Sequence, residues 1–502
     1  MPSRSPAALP SELYRAPQVR ELDRIAIEEH AIPGATLMER AGIAAFDELR
    51  ATWPAARRLS IVCGPGNNGG DGFVLARHAA AAGLHVRVGL LGETARLRGD
   101  ARTAHDRMRD AGIEAETYAA AILDGAHVVV DALFGTGLDR EVEGPQAACI
   151  EDMNTNPAPV VAMDIPSGLH ADTGRVLGVC VSAQLSVSFI GLKQGMFTGD
   201  ARNCCGRVVF DDLGVPPAIY AGVPASARRV DMASLRGILG KRRRSDHKGS
   251  FGHVLLIGGD AGFAGAVRMA GEGAARSGAG LTSIATRAAH AGIIASQRPE
   301  LMCHGIEDPQ ALAPLLERAS VIVVGPGLAR GAWGRQMLAA ALAASQPLLL
   351  DADALNLLAE SGPGKDRGDQ ARIMTPHPGE AGRLLACSSR DIEADRFAAA
   401  ETISERYRAT VVLKGAGTLV SDPGETIRVC EGGNPGMGSG GMGDVLSGVI
   451  AGLVAQGLAP ATAATAGVIL HAAAADIAAA DGERGLLAGD LMLPLRTLVN
   501  TL

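Results

Sequence analysis

Residues 59–81, LSIVCGPGNNGGDGFVLARHAAA, carry the reading that decides the fold. A β-branched apolar run stops at a turn of Gly and Asn, and an Ala-rich helical segment follows at once. The run is apolar at every position instead of alternating, which is the pattern of a strand buried on both faces of a parallel sheet. The same order recurs along the chain. LHVRVGLLG, AHVVVDALFG, PVVAMDIPSG and LSVSFIG read as further strands, and after a break HVLLIGG, LTSIATR, SVIVVGPG, PLLLDAD, RIMTPH and TVVLKGAGTLV do the same. The fold class is therefore α/β with parallel sheets. Ahead of the first strand, VRELDRIAIEEHAIPGATLMERAGIAAFDELRA reads as two helices broken at Pro33-Gly34.

A chain of 502 residues exceeds one ordinary core and suggests about two to four domains. The stretch 220–249, rich in Pro, Arg and short polar residues, precedes a fresh strand-turn-helix unit, so the boundary is expected there. This gives domains 1–225 and 226–502. Apolar residues make up 47%, charged 20% and aromatics 3%, with a net charge of −7. That balance offers no general attraction for nucleic acid, and the basic run Lys241-Arg242-Arg243-Arg244 reads as a solvated segment. The 8 Cys show neither CxxC pairs nor zinc spacing, so reduced thiols and a cytoplasmic location are expected. No signal-peptide core and no run of about 18 uninterrupted apolar residues is apparent, so no membrane role is expected. The expected partners are small molecules, with a homo-oligomeric state.

In the first half, Gly64–Gly72 (GPGNNGGDG) follows a strand and opens a helix, a place where backbone N–H groups can hold a phosphate. It lacks the Lys-Ser/Thr of a Walker loop. Strand ends place Asp131, Asp164 and Ser167 at tips of the same sheet as Asn68. Such an all-oxygen set suits a hard cation and lacks soft ligands. NNGGDG, VVDALFGTGL and AMDIPSGL together resemble the amino-terminal domain of NAD(P)H-hydrate epimerases over about residues 14–215, and so do the opening helices. The resemblance implies a Rossmann-like αβα sandwich. It further implies that Asn68, Asp131 and Ser167 hold a potassium ion. Asn67, Asn68, Gly69, Gly70 and Asp71, then Gly135, Thr136, Gly137, Leu138, Asp139, Arg140 and Glu141, and Asp164 would contact the hydrated nucleotide. Asp164 is the candidate acid/base.

In the second half, residues 433–448 read GNPGMGSGGMGDVLSG, with 7 of 16 positions Gly and one acid, Asp444, before an apolar helix. Bare N–H groups at a helix start stabilise anionic charge, and one carboxylate among them can accept a hydroxyl proton. Lys414-Gly415-Ala416-Gly417-Thr418 at a strand end adds a cation and further N–H groups for nucleotide phosphate. A carboxylate beside an anion hole is an electrostatic conflict of the kind expected at functional sites. DHKGSFGHVLLIGG, ARSGAGL, VVGPGL, DADALNLL, TPHPGE, VLKGAGT and NPGMGSGGMGDVLSG resemble the ADP-dependent NAD(P)H-hydrate dehydratases, a ribokinase-like family, over about residues 240–500. That resemblance implies that Ala266, Gly327, His377 and Asp444 line the hydrate's site. Lys414 to Thr418 and Gly443 would contact the adenine nucleotide, with Mg2+ and ADP as cofactors.

Together the two resemblances imply a nicotinamide-nucleotide repair enzyme with epimerase and dehydratase activities. Two rivals stay open at this stage: a ribokinase-like small-molecule kinase, and a first half that is a non-catalytic binding module.

Overall fold

The computed structural model describes residues 9–362 and 370–502. Contacts divide the chain into two compact units, Met1–Arg228 and Arg229–Leu502.

The first unit is built on a wholly parallel sheet in the order Ala115–Thr117, His85–Leu90, Arg58–Cys63, Val128–Ala132, Val160–Met163, Leu185–Phe189, Arg207–Asp211. Successive side chains of one strand enter different cores. Ile61, Val128 and Val130 pack with Leu37, Met38 and Phe73 from helices Gly34–Thr52 and Asn67–Ala81, whereas Val62 and Val129 pack with Cys149, Ile150 and Met153 of helix Gly144–Thr155. Helices thus cover both faces, which is why these strands lack a polar face. Strand order reverses between Arg58–Cys63 and Val128–Ala132, and such a switch point opens a crevice beyond the carboxyl ends of the strands. Two edge strands, Ala115–Thr117 and Arg207–Asp211, add to the five expected. Both are partly exposed, so neither shows a buried apolar run. Of the expected opening helices, the first runs Ala16–Arg24 and ends in a π-helical turn at Ile25–Glu29.

The second unit has the parallel order Met302–Gly305, Leu281–Thr286, His253–Ile257, Val321–Val324, Leu348–Leu350, Arg372–Met374, Thr410–Leu413. It continues with Thr418–Ser421 and Ile427–Cys430 as antiparallel strands. The expected single run TVVLKGAGTLV is therefore a hairpin. Gly415 at φ 142° and Gly417 at φ 64° turn the chain back, conformations open to Gly and rare for other residues. Helices Ala264–Arg276, Met442–Ala455 and Pro460–Ala478 share one core with Val254, Leu256 and Val323. By length and composition Pro460–Ala478 could cross a membrane, but 67% of its most apolar window is buried inside this unit.

Candidate functional sites

At the switch point of the first unit lies a cavity of about 600 Å3, lined by residues from the opening helix, the Gly-rich turn and the sheet tips. Asn67, Asn68, Asp71, Gly135, Thr136, Gly137, Leu138, Asp139, Arg140 and Asp164 all face it. Gly69 and Gly70 lie just beneath, buried in the first turn of helix Asn67–Ala81. A Cβ on Gly69 would sit 1.9 Å from the Gly64 carbonyl oxygen, so the turn can close only on Gly. Glu141 lies outside the lining and pairs instead with Arg175.

Asn68, Asp131 and Ser167 converge on the backbone of Phe134. Asn68 Nδ2 donates to the Phe134 carbonyl at 2.8 Å, and Phe134 N donates to Ser167 Oγ at 2.8 Å. Asp131 is fully buried and accepts from Ser167 Oγ at 2.6 Å, Ser167 N at 2.8 Å and Leu133 N at 3.1 Å. Burial pushes its carboxyl up to about 6, against the pull of those bonds. One sunken carboxylate beside a hydroxyl, a carboxamide and a carbonyl fits a large monovalent cation, which needs several oxygens and little negative charge.

Asp164 ends the strand Val160–Met163 with φ 66°, a left-handed conformation uncommon for a non-Gly residue and frequent where strain serves a site. Its N–H donates to the Val187 carbonyl at 2.8 Å and its Oδ1 accepts from Phe189 N at 3.2 Å. Lys193, fully buried, makes an ion pair with it. The same Nζ donates to Ser188 Oγ at 3.1 Å and the Phe189 carbonyl at 3.2 Å. Asp71 shares this field: burial first, then Asp164 and Asp23, raise its carboxyl well above the usual range. Neither Asp23 nor Lys193 stood out in the sequence. Lys193 left a faint signal, the lone charge in the otherwise uncharged FIGLKQGMF; Asp23 sits in an ordinary amphipathic helix and left none.

In the second unit, Asp444 occupies the first turn of helix Met442–Ala455, which no side chain caps, so its first N–H groups are available to an anion. Gly441 just before it has φ 92°. Lys414 Nζ donates to Asp351 Oδ1 at 2.9 Å and lies 3.7 Å from Glu380 Oε2. Burial lowers the Lys414 ammonium, yet Asp351 and Glu380 hold it above the usual lysine range. Burial and then Asp351 raise Asp444 to about 7, with Lys414 opposing. Asp351 is further fixed by Ser447 Oγ at 2.8 Å.

His377 caps helix Pro378–Leu385: its Nδ1 accepts from Gly379 N at 3.0 Å, and its own N–H donates to Glu380 Oε2 at 2.8 Å. Burial, with Lys414 and Arg383 nearby, lowers its imidazole. Gly327 and Ala266 are neighbours, since a Cβ on Gly327 would stand 3.2 Å from Ala266 Cβ. A Cβ on Gly443 would stand 3.2 Å from Lys414 Nζ, which ties the Gly-rich helix start to the hairpin Lys414–Thr418. Arg396, also missed in the sequence, clamps that hairpin from behind by donating to the carbonyls of Leu413 at 3.3 Å and Lys414 at 3.2 Å. Within the Gly-rich loop, Ser439 Oγ is buried without a hydrogen-bond partner. An orphaned hydroxyl in the loop that leads into uncapped N–H groups fits a phosphate-bearing ligand. Asp351 and Glu380 are turned to Lys414, and the described residues contain no cluster of three or more His, Cys, Asp or Glu placed to hold a metal ion, so the hard oxygens for magnesium would come largely from the nucleotide phosphates.

Comparison with known proteins agrees with both halves. The family described as NAD(P)H-hydrate dehydratase matches residues 254–495, and that described as YjeF-related protein N-terminus matches residues 34–195. A bifunctional NAD(P)H-hydrate repair enzyme of Coxiella burnetii is 48% identical, covering 97% of this chain and 99% of its own. One from Escherichia coli is 42% identical over 99% of this chain and 96% of its own. Among solved structures, a ribokinase-like superfamily protein from Enterococcus faecalis is 30% identical with a TM-score of 0.50, covering 55% of this chain and 96% of that one.

Proposed function

The chain belongs to the bifunctional NAD(P)H-hydrate repair enzymes, and we propose that its first unit interconverts the R and S hydrates of NAD(P)H while its second dehydrates the S form at the expense of ADP. The observation that carries the second activity is Asp444 at an uncapped helix start, with Lys414 near Gly443 of the same helix turn. The hydrate bears a hydroxyl on the ring carbon next to nitrogen, and hydroxide is a poor leaving group. In this reading Asp444 accepts the hydroxyl proton as that oxygen attacks the terminal phosphorus of ADP. The N–H groups from Gly440 to Gly443 and the Lys414 ammonium stabilise the charge on the transferring phosphoryl group. AMP leaves. The ring-nitrogen lone pair then expels phosphate, and loss of a proton from the adjacent carbon restores the dihydropyridine. Ala266, Gly327 and His377 border the hydrate, and Lys414 to Thr418 hold the nucleotide. Magnesium, carried on the nucleotide phosphates beside Lys414, would neutralise phosphate charge there.

In the first unit, the cavity takes the hydrate, and Asp164, oriented by Lys193, moves the proton of the hydroxyl borne by the carbon next to the ring nitrogen. Potassium on Asn68, Asp131 and Ser167 fixes the Phe134–Arg140 loop when bound. We place the protein in the cytoplasm, in line with the absence of disulfides among its described cysteines, and propose that it is a homo-oligomer.

The decisive experiment incubates the purified chain with S hydrate, ADP and magnesium and follows the reduced-nicotinamide absorbance. Its return, with equimolar AMP, is expected. A stable phosphorylated product with no absorbance gain would favour the small-molecule kinase instead. With a mixture of epimers, Asp164→Asn should stop recovery once the S fraction is spent.

A further inference from the structure

Several acids besides Asp164 line the epimerising cavity, and one of them is placed to complement it. Asp23 belongs to helix Ala16–Arg24 and faces the cavity together with Asp71 and Asp164. The other charged groups lining that space are Arg20, Asp100, Asp139 and Arg140, and behind Asp164 stands the buried Lys193. A single ammonium thus serves three neighbouring carboxyl groups, and the geometry gives it to Asp164, the partner of its direct ion pair. Asp23 has no such partner in the ion pairs of the described residues. Like charges crowded into one cavity cannot all ionise together, and carboxyl groups driven apart in this way divide into an acid and a base.

We propose that Asp23 is a second catalytic residue of the epimerising unit, the proton donor that works against the Asp164 carboxylate. The inference rests on the epimerase reading of this cavity. Asp164 takes the proton of the ring hydroxyl as its O–H electron pair becomes the second bond of a carbonyl. The carbon–nitrogen bond breaks, its electron pair passes to the ring nitrogen, and that nitrogen takes the proton of Asp23. The ring is then open as an aldehyde. Rotation presents the other carbonyl face, nitrogen re-adds, and each proton returns to the carboxyl it came from, so the cycle ends with both groups reset and no co-reactant consumed. The electrostatics agree: burial first, then Asp164, push Asp23 up to about 6, with Lys193 opposing.

The test is Asp23→Asn in the full chain, assayed for R-to-S conversion above the uncatalysed background, beside wild type and Asp23→Glu. Loss of the donor should lower epimerisation about 100-fold or more, while dehydration of pure S hydrate by the same preparation stays at the wild-type rate. In wild type, epimerisation should decline as pH rises through about 6. That alkaline decline should vanish from the residual activity of Asp23→Asn and reappear, displaced, in Asp23→Glu, which a merely structural role would not produce. Epimerisation by Asp23→Asn within threefold of wild type, or an unchanged alkaline decline in either variant, overturns the proposal. If Asp23→Asn does not fold, Asp23→Glu decides alone by whether its decline moves. Wild type that fails to interconvert the epimers would refute the epimerase reading itself, a result distinguishable from failure of the Asp23 assignment.

Discussion

Asp444 stands among like charges, and that company sets how the dehydratase should respond to pH. Its carboxyl is raised to about 7 by burial and by Asp351. In its proposed role as base for the hydroxyl it must be ionised, so dehydration should climb as pH rises from about 6 to 8 and level off once the carboxylate predominates. Asp444→Asn should lower the rate by about 100- to 10,000-fold and remove that climb, leaving nucleotide affinity largely intact. A rate flat across this interval in wild type would show that the proton goes elsewhere. At this scale the sequence was legible where a motif carried the residue. Asp444, Lys414, Asp131 and Asp164 each follow a Gly-rich turn or end an apolar run. Asp23, Lys193 and Arg396 were not legible, because their roles arise from neighbours distant in the chain: Lys193 meets Asp164 across 29 positions, and Arg396 meets Lys414 across 18. No local pattern encodes such meetings.

The helix Met442–Ala455 shows why glycine persists beyond the anion hole. It packs against helix Ala264–Arg276 with almost no side chain between the two backbones. A Cβ on Gly448 would stand 1.9 Å from the Ala270 carbonyl oxygen, and one on Gly452 would stand 2.1 Å from Ser277 Oγ. Gly448→Ala must push the helices apart at backbone level, destabilising the second unit by about 1–3 kcal/mol. Because Asp444 lies one turn upstream on the same helix, dehydration should fall with it while epimerisation persists; equal loss of both would refute the coupling.

The loop Phe134–Arg140 invites the corresponding test in the first unit. Replacing choline with potassium at constant ionic strength should raise that unit's melting temperature, since a ligand bound only by the folded state stabilises it. Asp131→Asn should abolish the potassium-specific shift, and a shift of equal size in the variant would place the ion elsewhere. Among elements, the buried parallel strands were readable from their unbroken apolar runs. The Lys414–Thr418 hairpin was not, because an antiparallel strand paired on both sides and buried in the same sheet reads like its parallel neighbours.

At the scale of the whole molecule, each unit has its own core, which makes the two chemistries separable on one chain. A phosphoryl-acceptor site that distinguishes epimers strands the R hydrate, so the full benefit of the second activity depends on the first. Complementation tests whether the hydrate must stay on one polypeptide. Asp164→Asn chains given equal R and S hydrate with ADP and magnesium should stall when the S fraction is consumed. Asp444→Asn chains should interconvert the epimers and restore no absorbance. Mixed, the two variants should carry recovery to completion, because the R hydrate epimerised on one chain diffuses as S hydrate to the intact second unit of another. The rate should scale with the concentration of whichever variant is limiting. Recovery that stalls at the S fraction despite both variants being active alone would mean that the hydrate does not pass between chains, and that fusion of the two units serves transfer as well as supply.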